Sequence, residues 1–145
     1  LVEIRIGAFT SREQFAQVQA EAGDLLSRIE QPILCVDARG GRLVSEELAE
    51  AALSVMRYDN PLFFRSAILA ASPMLFMQTA RLSREANNIR RKIFDTAGQL
   101  LLWLRPDLTD AEFERLQSFL SEPPSLSADV AAGEPLETPS DQGSG

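Results

Sequence analysis

Few residues in this chain could do chemistry, and their spacing narrows what that chemistry is. Asp37 closes the apolar run Ile33–Asp37, and the carboxyl end of a strand is where α/β sheets place functional carboxylates. A phosphoacceptor aspartate of the receiver type also ends a strand, but it comes with an acidic pair after the first strand and a Lys closing a late one. Gly7-Ala8 follows the first strand here, and no Lys ends the third. Asp37 is therefore read as structural, bonding turn amides around Gly40. Glu46 and Glu47 could suggest an acid–base pair, but neighbouring helical residues point about 100° apart and do not share a site. The chain has no His, which removes the commonest general base and metal ligand. Gly7-Ala8-Phe9-Thr10 is not a dinucleotide fingerprint and no Walker-type loop is present. No catalytic residue, metal ligand or cofactor is expected, and the chain is read as not an enzyme.

The elements that must position these residues follow from periodicity. Three short apolar strands are predicted, at 2–6, 33–37 and about 65–71, each running into a helical pattern. Thr10 or Ser11 caps the first helix, whose inner stripe is Phe15, Val18, Ala22, Leu25, Leu26 and Ile29, with Pro32 closing it. Ser45 caps the second, with Glu46 and Glu47 in the first turn, where the helix dipole favours negative charge. Ser72-Pro73 opens the third, whose first turn is crowded with Met74, Leu75, Phe76 and Met77. A weaker strand at Arg91–Asp95, a helix over 100–104 and a last helix capped by Thr109 and Glu112 complete the order βαβαβαβαα. This specifies an α/β fold, a four-stranded mainly parallel sheet with helices.

Composition divides the chain into an α/β domain at 1–120 and a Pro/Ser-rich acidic tail at 121–145, predicted to be disordered because it has too little apolar surface to offset its ordering entropy. The tail carries five of the seven units of net negative charge. A near-neutral domain argues against nucleic-acid binding, which rests on phosphate neutralisation. The basic cluster Arg81, Arg84, Arg90, Arg91 and Lys92 reads as a solvated helix end. Cys35, the single cysteine, is expected in the core. No stretch approaches the roughly 20 apolar residues that span a bilayer. No signal peptide is visible in a chain that opens on Leu1, so a cytoplasmic protein is expected.

Residues 2 to about 104 resemble the STAS domain, the family named for sulfate transporters and anti-sigma-factor antagonists. Ile4–Thr10 is similar to its strand ending in a Gly-containing turn, and Ile33–Asp37 to its central strand. Leu43-Val44-Ser45-Glu46-Glu47-Leu48 falls where the family has an Asp-Ser-Ser/Thr-Gly-Leu loop at a helix start. Arg90–Thr96 followed by Leu102-Trp103-Leu104 resembles a divergent STAS-like branch. The resemblance implies a protein ligand gated by phosphorylation at the second helix's N-terminus. Aligned without a gap, Glu46 occupies the acceptor position; a one-residue slip makes Ser45 the phosphoacceptor; Ser45 as a plain N-cap is the third reading. The family's extra N-terminal strand has no counterpart before Val2, so either an upstream segment supplies it or another molecule completes the sheet edge.

The expectation is therefore a non-enzymatic regulatory domain that docks a protein partner, such as a regulatory kinase, an anti-sigma-type protein or a scaffold. Its candidate contacts are Arg39, Arg42, Ser45, Glu46 and Glu47. Tyr58, Pro61, Leu62, Phe63 and Phe64 form either an added apolar patch or a cover over the core. Two alternatives stand beside it: a carrier of an apolar small molecule or lipid, prompted by Met74–Met77, and self-assembly into a homo-oligomer through the open sheet edge.

Overall fold

A computed structural model describes residues 1–124 and the strand Ala131–Ala132. Along the chain run β1 (Val2–Arg5), α1 (Arg12–Leu26), β2 (Ile33–Asp37), α2 (Glu46–Asp59), β3 (Arg65–Leu69), α3 (Pro73–Ala86), β4 (Arg91–Phe94), α4 (Ala97–Leu104), α5 (Asp110–Ser121) and β5 (Ala131–Ala132). The first four strands are parallel in the spatial order 4-3-2-1, so the fold is α/β as the alternation predicts. That order never reverses. Parallel crossovers are right-handed almost without exception, so an unreversed order puts α1, α2 and α3 on one face of the sheet.

The pleat sorts the side chains accordingly. Val2, Ile4 and Leu34 pack with Ala22 and Leu26 of α1 and with Phe63. Ile33, Cys35, Ala67, Leu69 and Phe94 point the other way, onto Leu100 and Leu104 of α4 and Leu116, Phe119 and Leu120 of α5. Cys35 is buried there, and burial pushes its thiol pKa far up, as a core residue requires.

Local signals place the helix starts. Gln14 reaches back to the amide of Ser11 at 3.1 Å, and Thr109 and Glu112 form a reciprocal capping box. Helix α1 stops at Leu26 rather than at Pro32, because the Arg28 and Ile29 amides close tight turns on the Leu25 and Leu26 carbonyls and Gln31 takes a left-handed φ of 48°. Arg91 lies buried at the start of β4, not on a solvated helix end.

The outer edge of β1, where the STAS resemblance leaves a strand missing, pairs antiparallel with β5, Ile4 opposite Ala132 and Arg5 opposite Ala131. The expected disorder of 121–145 falls outside the described residues for 125–130 and 133–145. Within that stretch Ser121 closes α5, and Glu122 Oε2 accepts from Arg5 Nη1 at 2.8 Å.

Asp37 fastens α5 to the sheet. Its carboxylate is fully buried and accepts from Arg5 Nε at 3.2 Å, from Arg39 Nε at 2.9 Å and Nη2 at 2.8 Å, and from the Arg39 amide at 3.1 Å. The same arginines donate to the carbonyls of Phe119 and Glu122 at the end of α5. The turn amide held is that of Arg39, beside Gly40, as the sequence predicts. Burial raises the Asp37 pKa, but these charged donors outweigh it and hold the carboxyl below its ordinary value. Removing one member of such a group leaves buried charge uncompensated. Asp37→Ala should therefore lower the unfolding free energy in urea at pH 7 by about 3–5 kcal/mol; a loss below about 1 kcal/mol, the scale of an exposed pair, would contradict the clamp.

Candidate functional site

Between the sheet and its three crossover helices lies a cavity of about 130 Å³. Its floor is Ile4, Ile6, Leu34, Val36 and Ile68, the residues that β1, β2 and β3 turn toward the helices. Its roof is Phe15 and Val18 of α1, Ala52, Val55 and Met56 of α2, and Leu75 and Leu82 of α3. The space is left where α2, packed between α1 and α3, turns the small side chain of Ala52 toward it.

The mouth opens at the carboxyl ends of the strands, between Gly7 and Phe9 after β1, Gly41, Arg42 and Val44 after β2, and Gln78 on α3. Phe9 stacks on Phe15 with ring centroids 4.2 Å apart, which fixes one lip. Gln78 fixes the opposite lip by donating to the Val44 carbonyl at 3.0 Å and accepting from its amide at 3.2 Å. Gly41 keeps the passage open: a Cβ there would stand 3.1 Å from both the Ala38 carbonyl oxygen and Leu75 Cδ2.

The closed end is polar. Ser66 on β3 stands in register with Arg91 on β4, and Asp59 comes down from the last turn of α2; all three line the cavity. Arg91 donates from Nη1 to Asn60 Oδ1 at 2.8 Å and from Nη2 to the Met56 carbonyl at 3.0 Å, which also accepts from the Asn60 amide, so it is tied to the end of α2. Asp59 is 6% exposed and Ser66 1%, yet neither Asp59 Oδ1 nor Ser66 Oγ has a hydrogen-bond partner among the described residues. Two other buried oxygens share that condition, but Glu3 Oε1 has Arg115 at 3.3 Å and Asp107 Oδ2 has Arg65 at 3.1 Å. The pair facing the cavity has no hydrogen-bond or ion-pair contact among the described residues, and Arg91 acts on Asp59 only through its charge. Burial pushes the Asp59 carboxyl up to about 6, against the pull of Arg91's charge, and burial likewise lowers Arg91 to about 10. A buried unsatisfied oxygen costs on the order of 1–3 kcal/mol, so its placement in a cavity asks for a ligand.

The residues predicted for docking separate into two groups. Arg42, Ser45, Glu46 and Glu47 come together, exposed, at the opening turn of α2, beside the mouth. Ser45 is the N-cap, its Oγ accepting from the Leu48 amide at 3.3 Å. Glu47 pairs with Arg12 at 3.1 Å, both side chains well exposed, a contact of little energetic weight. Arg39 goes elsewhere, bound to Asp37 on the α5 side of the sheet. Met74 and Met77, which prompted the carrier alternative, are 63% and 71% exposed and do not line the cavity, whereas Leu75 between them does. Of the apolar run, Phe63 is core, while Tyr58 and Phe64 remain exposed.

Asp59, Ser66 and Arg91 are absent from the predicted site. A signal for them existed: Asp59 sits at the carboxyl end of a helix, where the dipole disfavours an anion, and Ser66 is a polar residue just before the apolar run Ala67–Leu69. Among the described residues no three His, Cys, Asp or Glu side chains gather as a metal site. No helix among them is long and apolar enough to cross a membrane. No protein-family model matches the chain, and no curated protein or solved structure matches it either.

The Asp59 pKa gives a signed prediction. Between its ordinary 3.8 and about 6 the folded protein keeps a proton that the unfolded chain has lost, so this carboxyl makes stability fall as pH rises through that window. Asp59→Asn should change little at pH 4 and stabilise by on the order of 2 kcal/mol at pH 7–8, measured by urea unfolding across the range. An equal effect at every pH would show that Asp59 is not held in this environment.

Proposed function

We propose that this chain is a non-enzymatic binding domain of STAS-like type, and that its ligand is a small, largely apolar molecule held between the sheet and α1–α3. The observation that carries the reading is the pair of uncompensated buried oxygens at the closed end of an otherwise apolar cavity. An apolar pocket with a few converging polar groups and a perturbed carboxyl is the usual form of a small-molecule site. Its volume, about 130 Å³, is close to the roughly 150 Å³ of an engineered cavity that takes up benzene. It is well below the roughly 300–1,000 Å³ of sites for drug-sized ligands. The cargo is thus one ring or a short chain, and a diacyl lipid does not fit. A cytoplasmic setting belongs to the same proposal and agrees with a single cysteine, Cys35, buried in the core.

Toluene tests the cavity directly. In a methyl NMR titration it should give saturable shifts at Val36, Val55, Ile68 and Leu82, and Ala52→Leu, which fills the space from the roof, should weaken binding at least about tenfold while the fold persists. Shifts that never saturate, or binding that survives Ala52→Leu, would sink the reading.

The exposed opening turn of α2 favours a second reading, docking of a protein partner at the rim. Arg42, Ser45, Glu46 and Glu47 stand there with the exposed Leu43 beside them. A kinase could reach Ser45, and phosphate there would sit on a helix N-terminus yet face two carboxylates at once. If this surface docks a regulatory partner, the double variant Arg42→Glu/Glu46→Lys should abolish a pull-down that Arg28→Glu, in the exposed turn after α1, leaves intact. Equal recovery with all three proteins would remove the surface from consideration.

A further inference from the structure

We propose that the closed end of the cavity selects a ligand bearing a neutral hydroxyl, a phenol or a short alcohol, whose O–H donates to Asp59 while its oxygen accepts from Ser66. The proposal rests on the small-molecule reading and specifies the head group. Four kinds of head group could meet these side chains. A hydrocarbon would fill the apolar length but leave Asp59 Oδ1 and Ser66 Oγ as they stand, without partners. A carboxylate would bring a second negative charge against Asp59 where water is excluded. Arg91's single positive charge is already set against Asp59, so a second carboxylate would leave the closed end net negative, and its Nη1 and Nη2 groups already donate to Asn60 and to the Met56 carbonyl. An ammonium would meet Arg91's own charge beside the same carboxylate.

A hydroxyl satisfies both oxygens together. An ionised carboxylate only accepts, whereas a serine hydroxyl both donates and accepts, so one ligand O–H completes the pair without adding charge. The geometry also sets the orientation. Asp59 and Ser66 lie at the end of the cavity remote from Gly7, Gly41 and Gln78, so the head group enters first and the apolar body follows, toward the mouth.

The test uses the full chain and three probes of one shape: p-cresol, toluene and p-toluate, titrated at pH 7.5 by methyl NMR or calorimetry. p-Cresol should bind at least about tenfold tighter than toluene, although its hydroxyl costs more to remove from water, and p-toluate should not saturate. Ser66→Ala and Asp59→Leu should each cut p-cresol affinity about tenfold and leave toluene within about twofold. Ser66→Ala deletes only an unpartnered hydroxyl, so it keeps the fold even if the Asp59 variant does not. Toluene binding as well as p-cresol, p-toluate binding best, or variants that shift both ligands equally would overturn the hydroxyl assignment while leaving a small-molecule site in place. Failure of every probe to bind would overturn the site itself.

Discussion

The structure depends on a strand order that never turns back. Because β1 to β4 are laid down in one direction, every crossover helix lands on the same face, and the crevice that a reversed order would open at the sheet's carboxyl edge does not form. Three helices must then cover four short strands, and α2, in the middle, turns Ala52 toward a space that a larger side chain would fill. The ligand space therefore lies under α2 and not at a strand switch. The opposite face carries α4 and α5, whose packing against Cys35, Ala67 and Phe94 is continuous.

Two buried aspartates show how the two faces differ. Asp37 lies at the carboxyl end of β2 with two guanidinium groups on its oxygens, and its pKa is lowered. Asp59 lies at the carboxyl end of α2 with no hydrogen bond to one oxygen, and its pKa is raised. The first is a finished interaction that ties α5 to the sheet. The second is unfinished within the chain. A protein that satisfies one buried carboxylate so fully tolerates the other only where something offsets the cost, and the cavity is where that something would sit.

Much of this fold was legible in the sequence. The strands at Ile33–Asp37 and Arg65–Leu69, the caps at Ser45 and Thr109 and the parallel alternation all come from local rules of period and capping. The rim residues Arg42, Ser45, Glu46 and Glu47 were legible for the same reason, since one turn of one helix carries them. The closed end was not. Asp59, Ser66 and Arg91 belong to three different elements and meet only through strand register and the descent of α2. Arg91 was misjudged as solvent-facing because charge in sequence suggests surface, while its burial follows from the acceptors that α2 presents at Asn60 and Met56. Arg39 stands apart from the rim because its side chain folds back across the strand end to Asp37.

The central claim is an open space beneath α2 with an unanswered carboxylate at its end. A crystal of the full chain soaked with p-bromophenol tests it most directly through the anomalous signal of bromine. The account predicts a bromine peak between Val36, Ile68 and the α2 roof, with the phenol oxygen at hydrogen-bond distance from Asp59. A crystal without that peak, in which α2 has settled so that Ala52 packs on Val36 and Ile68, would contradict it.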